Sequence, residues 1–511
     1  VDDQAFEPQE RLHPTSWLFT TFALVRQFIV PIVAALLFGA RNDGPPWLGY
    51  VAIPLIAGAI WKQYFYRYGL GPTGLVIREG LFFKNVRQID YARIENIDTE
   101  RSLLHRLLGV AEVRVETSTG GRPEALIQVL GLQAAEALRR QVFASRGQEA
   151  RPTAVNEEVL LHMPTAELVK FGLIDNRGMI VVAGLFGLIH QSGAFDVLGA
   201  LIKAQLSEVL LNEIVASGPV IQGALALSVL IFALILVRAF SVVLALVTLH
   251  DFKLVRVGAD LRARYGLLTR IAVTLRLRRI QAAHVTDTVL HRLFRRVSVR
   301  VDLAGDTESG QSGGNDGHSK VRWLAPLAEP RYARELIAKA LPSVDFGAAA
   351  DWQPLAPRAR RRVFRRSLLI WLLLTLVLAV MLRTYWALSL LLVGIAMSAW
   401  YATKFVRYTR WALQPDALFF RYGWLTRKLV IVPRNRVQVV CLKESPFDRR
   451  HRMASVTVDT AGAGVGSDTI RVPYLELEVA RTLAAALNET AAVAEIEHGE
   501  ERTGALGATA V

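Results

Sequence analysis

Cysteine is almost absent from this chain: Cys441 is the sole one in 511 residues, which excludes an intrachain disulfide framework and a multi-cysteine metal site. The ten histidines are dispersed, and no HxxH or HExxH spacing puts two imidazoles on one helix face. The glycine-rich stretches Ala461–Ser467 and Gly305–Gly317 lack the Gly-Lys-Ser/Thr ending that cradles phosphates and read as flexible hairpin tips. Carboxylates are the minority charge, 45 Asp and Glu against 60 Lys and Arg, for a net +15. No catalytic constellation emerges, so the reading is of a non-enzymatic protein with no metal and no cofactor.

What the chain has in excess is apolar sequence, 52% of residues, beside that strong positive charge. Both hold only if apolar and basic residues are segregated, and they are. Apolar runs of about 18 or more residues suffice to cross a bilayer. Two lie near the N-terminus, Trp17–Phe38 and Trp47–Phe65; a second pair surrounds Gly178–Ile189 and Val220–Val237; the third is Ser367–Leu382 and Trp386–Phe405. Six spans in three hairpins are expected. The loops within the pairs carry only Arg41, Lys203 and Arg383, whereas the other side holds nearly all remaining bases, including the run Arg358–Arg366. By the positive-inside rule both termini and the segments between pairs are cytoplasmic, in a cell inner membrane. Arg26 and Arg238 read as snorkelling residues near cytoplasmic span ends. The acidic N-terminus reads against a cleavable signal peptide.

Behind each pair the same segment returns: Gly80 (GLFFKNVRQIDYARI), Gly266 (GLLTRIAVTLRLRRI) and Gly423 (GWLTRKLVIVPRNRV), aligned without a gap for nearly forty residues. Four bases recur in register: Arg78, Arg264 and Arg421; Lys84, Arg270 and Arg427; Arg93, Arg279 and Arg436; Arg106, Arg292 and Arg449. Short β-rich runs flank each glycine, as in antiparallel strands. An amphipathic turn follows (Leu103–Leu108 in the first repeat), then an alternating strand (Val113, Val115; Val299, Val301; Val456, Val458), a polar loop, a last strand and a helix. One small sheet closed by a C-terminal helix, three times over, is the simplest assembly. Residues around Thr165–Phe171 read as a connecting helix that reaches the bilayer.

The pattern Gly-Leu-Leu-Thr-Arg…Arg-Ile-Gln, then Leu-His-Arg-Leu-Phe and Val-x-Val-Asp, resembles the bacterial pleckstrin-homology-like domain, also called the membrane-flanked domain. Arg11–Pro14 and the Leu-Ile-Asp-Asn-Arg before the third span resemble its long, triple-domain members. The resemblance implies a membrane α + β protein: six transmembrane helices as three hairpins, each followed by a small PH-like antiparallel β-barrel or sheet with a C-terminal helix. The expected boundaries are 17–66, 165–247 and 366–405 for the hairpins, the second with its connecting helix. The PH-like domains span 67–147, 248–343 and 406–490, before a flexible tail at 491–511. The resemblance also implies a hetero-complex with a shorter, single-PH-domain membrane protein, and roles in envelope stress or antimicrobial resistance. Arg295 and Arg452 replace Gly109, so the short helix is expected to end differently in the later repeats.

The twelve recurring bases are the candidate anion- or headgroup-binding residues, with anionic lipids of the inner leaflet as partners. Each base near an anionic surface contributes on the order of 1 kcal/mol. Arg93, Arg279 and Arg436 precede an apolar strand start, where a guanidinium fork would grip a phosphate. Orientation alone also places bases beside a membrane, and geometry separates the two readings: a structural arginine points at a carboxylate, a binding one into an open concavity. Nucleic acid is not expected, since the bases form no single stripe with aromatic platforms. The leading reading is a membrane-surface scaffold or sensor. The rival is a transporter or lipid-handling protein, which the scarcity of intramembrane carboxylates disfavours.

Overall fold

The computed structural model describes residues 10–11, 67–71, 73–79, 85–91, 93–117, 125–144, 158–175, 178–179, 218–258, 260–304, 322–347, 350–382, 389–460 and 470–489, with isolated positions between 182 and 187. The chain divides into two compact units. One is Val1–Ser118, Pro123–Gly258 and Arg262–Thr274; the other is Thr119–Arg122, Ala259–Leu261 and Leu275–Val511. The division falls inside the second repeat.

In the first unit, β1 (Glu10–Arg11) pairs with β2 (Arg67–Leu70), which continues to β3 (Gly74–Glu79) and β4 (Asn85–Asp90) in a sheet of order β1-β2-β3-β4. Then come β5 (Ile94–Arg101), α1 (Leu103–Leu107), β6 (Val110–Thr117), β7 (Ala125–Gly131) and α2 (Leu132–Ala144). The second repeat opens the same way: β8 (Glu158–His162), α3 (Thr165–Ile174), the long α4 (Pro219–Thr248), then β9 (Lys253–Val257), β10 (Asp260–Tyr265) and β11 (Arg270–Leu275). Its remainder lies in the second unit, with Asp260, Leu261 and Leu275: β12 (Ile280–Asp287), α5 (Val289–Leu293), β13 (Val297–Leu303), β14 (Trp323–Ala328) and α6 (Pro330–Ala340). The third repeat is β15 (Gln353–Pro354), α7 (Ala359–Leu382), α8 (Ser389–Tyr408), β16 (Arg410–Leu413), β17 (Ala417–Tyr422), β18 (Arg427–Pro433), β19 (Val437–Lys443), α9 (Pro446–Arg450), β20 (Met453–Thr460), β21 (Ile470–Glu476) and a last helix, α10, at 477–489.

The repeat therefore begins before its membrane segment, with the short strand β1, β8 or β15. The sheets also do not stop where the repeats do. One runs β7-β6-β5-β11-β10-β9-β8 and another β14-β13-β12-β18-β17-β16-β15, so each joins three strands of one repeat to four of the next. This differs from one sheet per repeat. Both joints use the same register: Arg101 opposite Arg270 and Thr99 opposite Ala272 in one, Asp287 opposite Arg427 and Val285 opposite Leu429 in the other. A one-residue slip would turn every core side chain outward, so the shared register follows from the repeated alternation.

The first and third repeats each enclose a core between their two sheets. Leu75 and Ile77 of β3 meet Val113 and Val115 of β6 under Leu138; in the third, Leu418 and Phe420 meet Val456 and Val458 under Leu483 and Leu487. Each such side chain contributes about 1.5–3 kcal/mol on burial.

Three helices among the described residues are long and apolar enough to cross a membrane: Val220–Thr248, Ala359–Met381 and Ser389–Tyr408. The expected spans Trp17–Phe38 and Trp47–Phe65, and most of Gly178–Ile189, lie outside the described residues. α7 and α8 pack closely, with Gly394 against Trp371 and Ser398 Oγ donating to Ser367 Oγ at 3.0 Å. The expected connecting helix is α3. A Cβ on its Gly172 would lie 2.5 Å from Val242 Cα of α4, so the two helices approach as closely as glycine permits. Arg238 of α4, read from sequence as snorkelling, donates to Leu173 O at 3.2 Å and ties α4 to α3.

The short helices explain why His105, His291 and Asp448 share one repeat position. Each starts with a capping box, Ser102 with His105, Thr288 with His291 and Ser445 with Asp448, in which the hydroxyl accepts from the third backbone N–H. All three partners are buried. Burial lowers the His291 pKa from 6.5 to about 4, and the neutral ring bonds Thr288 Oγ1 and Ser298 Oγ. Asp448 faces Arg362 of α7 at 3.3 Å, so part of the basic run Arg358–Arg366 serves the third repeat. The helices also end alike, against expectation: Gly109, Arg295 and Arg452 all adopt a left-handed φ, +67°, +52° and +52°.

Candidate functional site: a basic pocket at the first repeat joint

α4 ends at Thr248, and the chain reverses through His250 and Asp251 into β9. The tip of the next hairpin docks on that end: Leu267 N donates to Val247 O at 2.9 Å and Gly266 N to His250 O at 2.8 Å. Only glycine suits position 266, where φ is +111° and a Cβ would lie 1.9 Å from Thr269 O. Leu267 and Leu268 on the tip, and Leu103 and Leu107 of α1, are exposed. Arg106 Nη1 donates to Leu267 O at 3.2 Å and draws α1 to the tip. Exposed leucines beside the end of an apolar span suit the headgroup layer.

Against this surface opens a cavity of about 560 Å³, lined by Thr99 and Arg101 of β5, His162–Thr165 and Leu168, His250, Asp251 and Lys253, Arg264–Gly266, and Arg270–Ala272. Four permanent cations line it: Arg101, Lys253, Arg264 and Arg270. Asp251, the one carboxylate among its described lining residues, is engaged by His162 Nε2 and Lys253 Nζ, each at 3.1 Å. Burial pulls its pKa upward, but those two partners outweigh it and hold the carboxylate below its usual range. Arg101 and Arg270 stand directly opposite across the joint, and like charges so placed repel. Arg101 Nε is buried with no hydrogen-bond partner. A phosphate between these arginines would cancel the repulsion.

The recurring bases divide by geometry. Arg264 and Arg270 line the cavity. Arg106 and Arg292 serve as struts, Arg292 donating to Trp424 O at 3.2 Å and Leu425 O at 3.0 Å. Arg279 donates to Ala304 O. Arg93 lies 3.7 Å from Asp90 and Arg449 3.7 Å from Glu444. Arg427 sits 3.9 Å from Asp287 and over the Tyr408 ring, and Arg421 stacks on Trp352 at 4.3 Å. Burial, first of all, and then Arg410 and Arg427 lower the Arg421 pKa; burial also lowers that of Arg436, which is half-buried. Arg78 pairs through its backbone with Arg67 in the first sheet, and Lys84 lies outside the described residues. Arg101 was missed in the sequence because it does not recur: its counterparts are Asp287 and Glu444.

Repeated strands, capped short helices and closing helices define a class, and comparison agrees with it. The model of the bacterial PH domain matches residues 20–146, 204–340 and 367–491, more than half of the chain, so the protein belongs to that family. It is similar to the UPF0699 transmembrane protein YdbT of Bacillus subtilis, 24% identical over 468 residues that cover 88% of this chain and 92% of that protein. No solved structure matches.

Proposed function

We propose that this membrane protein is a non-enzymatic scaffold or sensor that holds its PH-like repeats against the cytoplasmic face of an inner membrane and binds anionic phospholipid headgroups through the first-joint pocket. The observation that carries this reading is the opposed pair Arg101 and Arg270, with Arg264 beside them, in a cavity at the end of a membrane-length helix. The segregation of bases to one side of the apolar pairs supports six spans and that orientation.

The test is lipid retention by the full-length protein purified in neutral detergent, read by native mass spectrometry with phosphatidylglycerol against phosphatidylcholine. Replacing Arg101, Arg264 and Arg270 together by glutamine should reduce phosphatidylglycerol retention by roughly 100-fold, at about 1 kcal/mol per base. Equal retention by the folded variant would refute the pocket as the site.

A further inference from the structure

Each internal joint pairs the fifth-strand type of one repeat with the fourth-strand type of the next: β5 with β11, and β12 with β18. A linear series of three repeats leaves one of each type over. Among the described residues, β19 ends its sheet, in order β19-β20-β21, and β4 ends the sheet β1-β2-β3-β4. Both strands have the exposure of interrupted joints. β12 is buried over its first five residues with β18 beside it, whereas β19 is exposed at five of seven positions. β18 is buried over its last four residues, whereas Asn85–Gln88 of β4 are exposed. Val86, 57% exposed, and Leu442, 39% exposed, hold the repeat positions of Leu429 and Val285, which face each other in the second joint. An uncovered edge presents a row of N–H and C=O groups to any strand of matching register.

We propose that β19 of one molecule pairs antiparallel with β4 of a second copy of this chain. The register common to both joints sets Lys443 opposite Asn85, Leu442 opposite Val86, Cys441 opposite Arg87 and Val440 opposite Gln88. The pairing reproduces between molecules what the chain twice makes within itself. Because the two edges differ, the contact is head-to-tail and leaves one edge of each kind open, so it propagates into an oligomer rather than stopping at a symmetric dimer.

The sole cysteine makes the register testable in the full-length protein in its membrane. Arg87→Cys introduces a thiol directly opposite Cys441, at a Cβ separation of roughly 5 Å. With two differently tagged copies co-expressed, mild oxidation of Arg87→Cys should give a ladder of disulfide-linked species containing both tags. Gln88→Cys, which points to the other face, should give at least tenfold less. Val86→Lys added to Arg87→Cys should reduce the ladder several-fold, because an edge lysine opposes pairing. A photoreactive side chain at Val86, in a chain keeping Arg87, should cross-link to β19 of the other tag. Any of three results would overturn the proposal: a disulfide closed within one chain, cross-links only to a different and shorter protein, or no cross-link by either chemistry in a folded protein.

Discussion

The two repeat joints share strand types and register but not chemistry. At the first, Arg101 faces Arg270 across an open cavity; at the second, Asp287 faces Arg427, and Tyr408 covers the latter. Asp287 itself is drawn both ways, its pKa raised overall by burial and pulled down by Arg292 and Arg427. The second joint sets opposite charges against each other; the first sets like charges. Two exchanged positions, Arg101 against Asp287 and Asp251 against Tyr408, in a shared frame, thus separate a structural contact from a candidate site.

The comparison breaks most completely at the turn glycines. Gly423→Ala would put a Cβ 2.0 Å from Thr426 O at φ +80°. It should destabilise the second joint by roughly 4 kcal/mol through strain and displacement. Gly109→Ala, with no heavy atom within 4 Å, should cost only about 1 kcal/mol; thermal unfolding in detergent separates the two.

Acid sharpens the difference next. The folded-state pKa of His291 lies below its unfolded value, so the unfolded chain binds the proton first as pH falls. Stability is intact above about pH 6.5 and declines toward pH 4, by about 3 kcal/mol in all at ~1.4 kcal/mol per unit. His291→Gln should flatten that slope in denaturant melts at pH 7 and pH 5.

Charge exchange is the direct test of the joints. Arg101→Asp should make the first joint resemble the second, lowering phosphatidylglycerol retention about tenfold while stabilising the fold by up to ~1 kcal/mol. The smallest effect is expected at Arg452, held at φ +52°. Arg452→Gly should gain several tenths of a kcal/mol, as relief of left-handed strain exceeds the added unfolded-state entropy.

Much of this architecture is legible in the sequence because it repeats. The alternation at Val113 and Val115, Val299 and Val301, and Val456 and Val458 declares strands with one buried face, and Gly266 and Gly423 mark the turns. Strand partnership is less legible. Arg101 and Arg270 are far apart in the chain, and alternation fixes which face is buried without naming the neighbour at the edge. The opening strands β1, β8 and β15 were hidden by their brevity, although Leu-His-Pro at 12–14 and Leu-His-Met-Pro at 161–164 mark two of them. Several bases kept in every repeat are struts, such as Arg106 and Arg292. The pocket turns on Arg101, which is not kept.

Sharing sheets between repeats also has a consequence during synthesis. β5 is made about 170 residues before β11, its neighbour, and a ribosome adding roughly 5–20 residues per second needs on the order of ten to thirty seconds to cover that distance. For that interval the nascent first repeat carries an open strand, and the long apolar helix α4 must be made before β11 can close it. The same wait recurs for β12 until β18 emerges. Delay of a membrane segment therefore prolongs the life of a sticky edge, which makes misassembly sensitive to the rate of insertion as well as to the stability of the finished fold.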